Sequence, residues 1–419
     1  MNQTAVREFL ASGTSVAPGE ILVATQLGDL AQGGLPCPAA PLAGALAQRK
    51  GRQVRYAPVP HYDDPVNHEG GAALFVATCP QRDGTMAAIA AVTASSDQVA
   101  AAAAKSAIAD WAAVFGTRRL LAGPGPWCDG ARQAMQVAKR TVAGRRTVHI
   151  YGQLAGSPES VAALAGQGAV FVGSLAEVPD GGTVVFPAHG VPAEVRAQAQ
   201  ARGLELIDAT CPLVAAAQAE ARRLAGRGDD VMLIGQPSHP VVAGIAGAAP
   251  GKVAMVSTAA STTGLRVADS RRVSYLLQPG IPVEDTAAMT AALRSRFPAL
   301  RNPNPDSLCY AASDRAETIR ALAADCDVLL VLGAPGCADT RQLTALARGR
   351  GARAQQVGDI GDIVPSMLAG AEAVGIAEST SARPALAAEL SAALSGLGPV
   401  SVVRRQVRTE IVGAPGRPG

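Results

Sequence analysis

Short runs of β-branched and leucine residues recur along the chain. A turn rich in glycine or proline follows each run, and after it comes a stretch of helical length rich in alanine, arginine and glutamate. The pattern is seen in TVVFPAHG followed by VPAEVRAQAQARG, and in DVLLVLGAPG followed by CADTRQLTALARGRG. Strand, turn and helix in repeated order predict parallel α/β units. Ligands bind at the carboxyl ends of parallel strands, so the residues of these turns are the candidates for function.

The repeat divides the chain into five predicted segments. They are an N-terminal α/β extension (1–116), a first α/β unit (117–212), a second α/β unit (213–306), a third α/β unit (307–398) and a C-terminal tail (399–419). At roughly 150 residues per domain, a chain of this length accommodates three such units and an extension.

The extension contains a segment similar to the third unit. ILVATQLGDL with its following Ala-Leu-Ala helix resembles LLVLGAPGC with its own Ala-Leu-Ala helix, which indicates either a repeated unit or two alanine-rich helices alike in composition. The alanine-rich stretch 94–113 predicts a covering helix, with Ser96 placed to cap it.

Composition and charge exclude several classes of protein. Hydrophobic residues make up 48% and charged residues 17% of the 419 residues, which excludes global disorder. A net charge of +3 and only 3% aromatic residues argue against a nucleic-acid partner. No apolar run approaches the ~18 residues of a membrane span, and the N-terminus lacks the apolar core of a signal peptide. The sequence predicts a soluble, cytoplasmic protein without a membrane partner.

Three of the seven cysteines follow a predicted strand and a tight turn: Cys128, Cys211 and Cys309. A thiolate at the start of a helix is stabilised by free backbone amides and the helix dipole, which lowers its pKa. Three such thiolates brought together would hold an iron–sulfur cluster that keeps one iron open to a substrate oxygen. The alternative is that each cysteine is a small buried hydrophobe. We interpret the other four in that way: Cys37, Cys79, Cys326 and Cys337.

From about Arg118 to Gly398 the sequence resembles the 4-hydroxy-3-methylbut-2-enyl diphosphate reductase family, also called LytB. The most specific match is GAVFVGSLAEVPDGGTVVFPAHGVPAEVRAQAQARGLELIDATCPLV, and WCDGARQAM, HPVVAG and LCYAASDRAETIRAL follow the order of the family. The resemblance implies three pseudo-threefold-related parallel α/β units around a central 4Fe–4S cluster, with Cys128, Cys211 and Cys309 as its ligands.

The resemblance also implies a substrate site. His189, in Ala-His-Gly-Val, and His239, before Pro240, match catalytic positions that hold the diphosphate of the substrate and lie beside its hydroxyl. A single histidine is more often structural than functional, but both of these lie in strand-end turns. The loops that bind the diphosphate in the family correspond here to the segments that carry Asp339, Arg341 and Ser381.

Several positions depart from the family pattern. They are Gly156-Ser157 in place of His-Asn, Val241 in place of the proton-transferring Glu, Pro279-Gly280-Ile281-Pro282 in place of Thr-Thr-Leu-Ser, Cys337-Ala338-Asp339 in place of Ser-Ser-Asn, and Ala377-Glu378-Ser379-Thr380-Ser381 in place of Thr-Ala-Gly-Ala-Ser. A valine cannot deliver a proton.

The new carboxylates change the expected charge of the diphosphate site. Asp339 and Glu378 would each repel an anionic ligand by about 3–4 kcal/mol at ~4–6 Å and an effective dielectric near 20. Arg341 and Arg383 lie in the same loops and would offset this repulsion if they point inward.

Three functions remain. The first is the family reaction, reductive removal of the hydroxyl from an allylic diphosphate in isoprenoid biosynthesis. The second is a cluster-bearing reductase with a different, less anionic substrate. The third is a non-catalytic 4Fe–4S protein for redox sensing or partner interaction. No dinucleotide-binding fingerprint is present, so both enzyme hypotheses need an external electron donor such as a ferredoxin or flavodoxin.

Overall fold

The structure, a computed structural model, describes residues 5–30, 33–63, 72–145, 147–154 and 158–409. Its strands are β1 (Arg7–Ser12), β2 (Glu20–Leu27), β3 (Leu35–Pro36), β4 (Gln53–Val59), β5 (His61–Asp63), β6 (Ala72–Pro80), β7 (Met86–Thr93), β8 (Arg118–Ala122), β9 (Val148–Tyr151), β10 (Ala169–Val172), β11 (Thr183–Phe186), β12 (Glu205–Asp208), β13 (Asp230–Ile234), β14 (Val253–Val256), β15 (Val273–Leu277), β16 (Val328–Leu332), β17 (Arg353–Val357), β18 (Ala373–Glu378) and β19 (Val400–Arg404).

Its α-helices are α1 (Ala40–Arg49), α2 (Gln98–Ala112), α3 (Asp129–Ala143), α4 (Pro158–Gly166), α5 (Ala193–Ala201), α6 (Pro212–Gly226), α7 (Pro240–Ala248), α8 (Ala287–Arg296), α9 (Ala311–Asp325), α10 (Ala338–Arg348), α11 (Pro365–Leu368) and α12 (Leu386–Ser395). The chain forms two compact units, and from here on the terms first unit and second unit refer to these and not to the α/β units predicted from the sequence. The first joins the described residues up to Pro124 with Ile319–Arg405, and the second joins Gly125–Thr318 with the described residues from Gln406 onward.

The second unit contains two parallel sheets, as the strand–turn–helix pattern predicts. Their strand orders are β10-β9-β11-β12 and β14-β13-β15. Helices cover both faces of the first of these sheets, α3 on one face and α5 on the other. Helices α6 and α7 pack in one core beside the second sheet, and α8 packs in another. This layering buries the β-branched strands.

The first unit contains a five-stranded parallel sheet of order β17-β16-β18-β8-β19. Its central strand β16 has the sequence VLLVL and is buried throughout. Val328, Leu330 and Leu332 enter one core, whereas Leu329 and Val331 enter the core beneath α9 and α10 on the opposite face. The alternation explains why this strand is apolar at every position.

Two strands of this sheet, β8 and β19, lie outside the predicted third α/β unit. The boundary at residue 117 places β8 in the first α/β unit, and the boundary at 399 places β19 in the tail. In the structure β8 pairs with β18 on one side and with β19 on the other. The physical reason is burial: Leu120 and Leu121 in β8 are each 1% exposed and fill the cores on opposite faces of this sheet.

Most strand pairs of the extension are antiparallel. Its sheet has the order β3-β2-β7-β6-β1-β5, and all of these pairs are antiparallel; only β4 joins in parallel, to β2. The predicted α/β extension therefore has a mostly antiparallel sheet, because tight turns connect consecutive strands such as β6 and β7. The exception is β2–α1–β4, a parallel unit like β16–α10–β17. The sequence similarity between these two segments is thus also a similarity of structure.

The alanine-rich stretch forms a helix, as predicted, but with a different cap. The side chain of Asp97, and not of Ser96, accepts a hydrogen bond from the amide of Ala100 at 2.9 Å. Trp111 near the helix end is fully buried, and its indole N–H donates to the carbonyl of Leu42 in α1 at 3.1 Å. Within the described ranges, no helix combines the length and the apolar character needed to cross a membrane.

The extension and the five-stranded sheet share one hydrophobic core. Ile21 and Ile89 of the extension belong to the same buried cluster as Leu330 of the sheet. At the edge of this cluster, the guanidinium of Arg49 in α1 donates two hydrogen bonds to the carbonyl of Gly361, at 3.0 and 2.8 Å. The extension is therefore an integral part of the first unit.

Removal of residues 1–116 is expected to leave insoluble protein, because it uncovers the apolar residues of the five-stranded sheet that pack against the extension. The soluble fraction and the elution volume in gel filtration measure this. Lys105→Ala, which breaks only the exposed ion pair with Glu8, is the control and should stay soluble. A soluble, cooperatively folding truncated protein would contradict the shared core.

Candidate functional site

Each of the three predicted cysteines lies at the start of a helix in the second unit. Cys128 immediately precedes α3, Cys211 immediately precedes α6, and Cys309 lies two residues before α9. The carbonyls of Cys128 and Cys211 accept the first hydrogen bonds of their helices, from Arg132 and Ala215. These thiols therefore lie beside the free amides of a helix N-terminus.

The fold brings these cysteines together. A Cβ atom at Gly130, in the first turn of α3, would lie 2.4 Å from Sγ of Cys211, so only glycine allows this approach. Helix α6, which begins after Cys211, packs against the turn Pro305–Ser307 that leads to Cys309. Three cysteines that are distant in sequence thus meet at one place in the second unit.

The pKa of the Cys309 thiol reflects this meeting. Burial raises the pKa, and the neighbouring thiols of Cys128 and Cys211 raise it further. The amides of Ala311 and Gly280 donate to the sulfur and act in the opposite direction, but burial outweighs them. The prediction of a lowered pKa at the helix start is therefore wrong for Cys309.

The spacing of the cysteines is not that of a single metal ion. Across the part of the chain that the structure describes, no three His, Cys, Asp or Glu side chains are grouped to hold one ion. A cluster of several iron atoms separates its thiolate ligands more widely than one ion does, because each thiolate binds a different iron. The donor set of three thiols fits a cluster of this kind.

Two histidines that follow strands of different sheets form a pair in the second unit. His189 follows β11, and His239 caps α7, which follows β13. Their ring centroids lie 5.3 Å apart at an interplanar angle of 85°. Nδ1 of His239 accepts a hydrogen bond from the amide of Val241 at 3.2 Å, so the neutral ring carries its proton on Nε2.

Both imidazoles favour the neutral form. Burial lowers the pKa of His189, and the charge of His239 lowers it further. Burial alone lowers the pKa of His239. At neutral pH the pair therefore offers N–H donors without a net charge.

The predicted residues of the first unit lie in two adjoining loops. The amide of Ala334 donates to the hydroxyl of Ser381 at 3.0 Å, which joins the loop after β16 to the loop after β18. Ser381 also lies 3.0 Å from the hydroxyl of Ser379 and 3.3 Å from that of Thr340, both fully buried. The carboxylate of Asp339 accepts a hydrogen bond from the amide of Thr380 at 2.7 Å.

The two arginines of these loops bind groups other than the new carboxylates. Arg383 forms two hydrogen bonds with Glu389, at 2.9 and 2.6 Å, and lies 3.4 Å from Asp359. Arg341 donates to the carbonyl of Gly336 at 2.9 Å. Arg383 therefore already pairs with two carboxylates, those of Glu389 and Asp359. The predicted pair Gly156-Ser157 lies outside the described residues.

The four cysteines interpreted as core residues have different outcomes. Cys37 and Cys79 are buried, and burial raises their pKa values to about 12 and 11. Cys326 is only partly buried, at the junction of α9 and β16, and burial raises its pKa to about 11. Cys337, at the start of α10, is also only partly buried, but its pKa is lowered, which distinguishes it from the other three.

The sequence pattern assigns Cys337 to the core, but its thiol has polar surroundings in the structure. Partial burial raises the pKa of its thiol, but hydrogen bonds from the Ser381 hydroxyl and from the amides of Thr340 and Asp339 outweigh this, and the pKa is lowered overall. The sequence does place Cys337 directly after a strand-end turn, which is where functional residues are expected. Thr340 and Ser379 gave no comparable signal, because buried hydroxyl residues are common.

Parallel sheets with thiol and imidazole groups after their strands define an α/β protein with a candidate site at its strand ends. A family model described as LytB protein matches residues 120–395. The chain belongs to the LytB family.

Three relatives match this chain over most of their own length. The 4-hydroxy-3-methylbut-2-enyl diphosphate reductase 2 of Mycobacterium bovis and reductase 1 of Mycobacterium tuberculosis are each 38% identical over 298 residues, which is 70% of this chain and 91% of theirs. The reductase of Bordetella bronchiseptica is 34% identical over 284 residues, covering 68% of this chain and 87% of its own.

Two solved structures share the fold. The E-1-hydroxy-2-methyl-but-2-enyl-4-diphosphate reductase of Plasmodium falciparum has a TM-score of 0.61 at 21% identity, covering 72% of this chain and 96% of its own. The (E)-4-hydroxy-3-methyl-but-2-enyl diphosphate reductase described as the terminal enzyme of the non-mevalonate pathway has a TM-score of 0.56 at 23% identity, covering 66% and 99%.

The histidine pair yields a prediction about pH. His239→Gln should raise the pKa of His189 by removing a neighbouring positive charge, and in the wild type both pKa values should lie below 6.5. The unfolded chain then binds more protons than the folded one, so stability should fall as the pH drops below 6.5. Ring-proton NMR titration measures both pKa values.

His149→Gln is the control, since Nδ1 of His149 lies 3.2 Å from the carbonyl of Thr183, at the opposite end of β11. The pKa of His189 should not change in this variant. An unchanged pKa of His189 in His239→Gln would contradict the electrostatic coupling of the pair.

Proposed function

We propose that this protein is an iron–sulfur reductase that removes the hydroxyl group from an allylic diphosphate, which yields isopentenyl and dimethylallyl diphosphate. The observation that carries the proposal is the meeting of three thiols at helix starts in the second unit. The names of relatives matched over 87–91% of their length support the substrate class.

Cys128, Cys211 and Cys309 are proposed to hold a 4Fe–4S cluster. Thiolates are the usual ligands of such clusters, and the missing side chain of Gly130 leaves space beside Cys211. The indole N–H of Trp127 is buried and has no hydrogen-bond partner within the described ranges, so it is a donor that a sulfur atom of the cluster would satisfy. When bound, the cluster supplies electrons and one iron without a protein ligand, which polarises a hydroxyl oxygen.

The proposed reaction needs an external reductant. One C–O bond breaks and one C–H bond forms, two electrons and two protons are consumed, and one water molecule leaves. The electrons are assigned to a ferredoxin or flavodoxin, because the sequence contains no dinucleotide-binding fingerprint. A soluble donor agrees with the predicted cytoplasmic location.

The two histidines are proposed to bind the substrate and to act in catalysis. Because Nδ1 of His239 is occupied by the Val241 amide, its Nε2–H remains to donate to a substrate oxygen. His189 is the second donor of the pair, and its lowered pKa keeps it neutral beside His239. The role assigned to both is to orient the hydroxyl and diphosphate oxygens through hydrogen bonds from their neutral N–H groups.

The loops of the first unit are proposed to bind diphosphate oxygens. Ser381 supplies a hydroxyl, and Arg341 supplies the guanidinium donors that its bond to Gly336 leaves over. Asp339 positions the loop through the Thr380 amide. The negative charge of Asp339 repels an anionic ligand. Diphosphate should therefore bind more weakly here than beside a neutral asparagine.

A second candidate is the same chemistry on a less anionic substrate, and the carboxylate of Asp339 in the loops proposed to bind diphosphate favours it. The side chain of Val241 concerns proton transfer with either substrate. This side chain is 2% exposed and packs in the apolar cluster with Val214 and Ile245. No carboxylate is therefore available at the position where the family has its proton donor. The third candidate, a non-catalytic redox protein, differs from both in showing no turnover of any allylic substrate.

The cluster assignment predicts the effect of removing each ligand. Cys128→Ser, Cys211→Ser and Cys309→Ser should each lose most of the bound iron and the electron paramagnetic resonance signal of the reduced cluster, because an alcohol is a poor substitute for a thiolate. Iron content and the spectrum are measured after anaerobic purification. Cys326→Ser is the control and should keep both. Full iron content in Cys211→Ser would refute the assignment.

The missing carboxylate predicts slow turnover. With a low-potential electron donor, the allylic diphosphate should react about 10²–10⁴-fold more slowly than with a family member that has glutamate at the position of Val241. Product formation under anaerobic conditions measures the rates. Turnover of the allylic alcohol but not of its diphosphate would favour the second candidate. Equal rates for the two proteins would show that another acid donates the proton.

A further inference from the structure

A small cavity lies on the second unit between α5, α6 and α7. Its volume is about 140 Å³, close to that of a cavity able to hold benzene. Its apolar lining comes from short side chains, and its polar lining comes from Arg196, Gln200, Gln218 and Arg222. None of the cysteines or histidines assigned to the proposed function lines it.

Gln218 in α6 is the unusual residue of this cavity. Only 9% of the residue is exposed, and its Nε2 atom is buried without a hydrogen-bond partner. A Cβ atom at Gly190 or Gly244 would lie 2.8 or 2.7 Å from this nitrogen, so two glycines make room for the amide. A buried donor without an acceptor costs about 1–3 kcal/mol, which a ligand that accepts a hydrogen bond would recover.

Two guanidinium groups add positive charge to the cavity. Arg222 is exposed and makes no side-chain hydrogen bond or ion pair with any described residue. Arg196 lies 5.4 Å from the ring centre of Phe186 and donates to Asp208 at 2.6 Å, which holds its guanidinium in place.

We propose that this cavity binds the phosphate group of a small phosphorylated molecule. Arg222 supplies an unpaired guanidinium, Arg196 supplies a fixed one with donors left over, and Gln218 supplies the buried amide N–H. A phosphate has enough acceptor oxygens for all three, and arginine matches its geometry with paired N–H donors. The cavity volume limits the buried part of the ligand to about the size of the phosphate itself.

The site borders both histidine-bearing segments. Val191 lines the cavity two residues after His189, and Gly244 lines it five residues after His239. Binding of phosphate is therefore expected to change the ring-proton signals of both histidines. This readout does not depend on catalytic activity.

Calorimetric titration of the full-length, cluster-bearing protein with inorganic phosphate tests the proposal. Wild type should bind phosphate saturably. Arg222→Met should weaken binding roughly 10–100-fold, through loss of a charge-assisted hydrogen bond. Gln218→Glu, which places a carboxylate beside the ligand, should weaken it at least as much. Because Arg222 is exposed, its replacement does not endanger the fold, and the test stands even if Gln218→Glu fails to fold.

Arg271→Met is the charge-matched control, since the side chain of Arg271 is 86% exposed and pairs with Asp269. It should bind phosphate like the wild type. Equal affinity in Arg222→Met and the wild type, or no saturable binding in the wild type, would overturn the site. Acetate binding as tight as phosphate binding would overturn the phosphate assignment. These outcomes are independent of the iron content that tests the proposed function.

Discussion

The close approach of Cys211 to the backbone of Gly130 is the constraint on which the site depends. A single methyl group at position 130 would occupy the place of the sulfur atom. With glycine there, the first turns of α3 and α6 bring Cys128 and Cys211 together, and α6 also packs against the turn before Cys309. The meeting of three thiols is thus decided by the absence of one side chain.

Burial controls the protonation of the groups around this point. The thiol of Cys309 and the imidazoles of His189 and His239 all have pKa values shifted toward the neutral form, with burial as the largest cause. These three groups are therefore uncharged near neutral pH. An anionic substrate or a charged cluster would add negative charge beside these groups. Neutral N–H groups would stabilise that charge.

In the loops of the first unit, charged side chains form hydrogen bonds and ion pairs with groups nearby in the same unit. Asp339 turns its carboxylate to the Thr380 amide, and Arg383 is occupied by Glu389 and Asp359. The extension supports the same unit from its other side, through a core that it shares with the five-stranded sheet. A family resemblance that begins near residue 118 could not have shown that this core is shared.

The sequence by itself determined the parallel α/β units, the strand-end turns and the identity of the three cysteines and two histidines, because these depend on local periodicity and on motifs read along the chain. Tertiary structure alone decided the partners of β8 and β19, the antiparallel extension, the raised pKa of Cys309 and the unpaired amide of Gln218. Strand pairing and burial join residues far apart in sequence. Their outcome depends on which surfaces meet, and no local pattern contains that information.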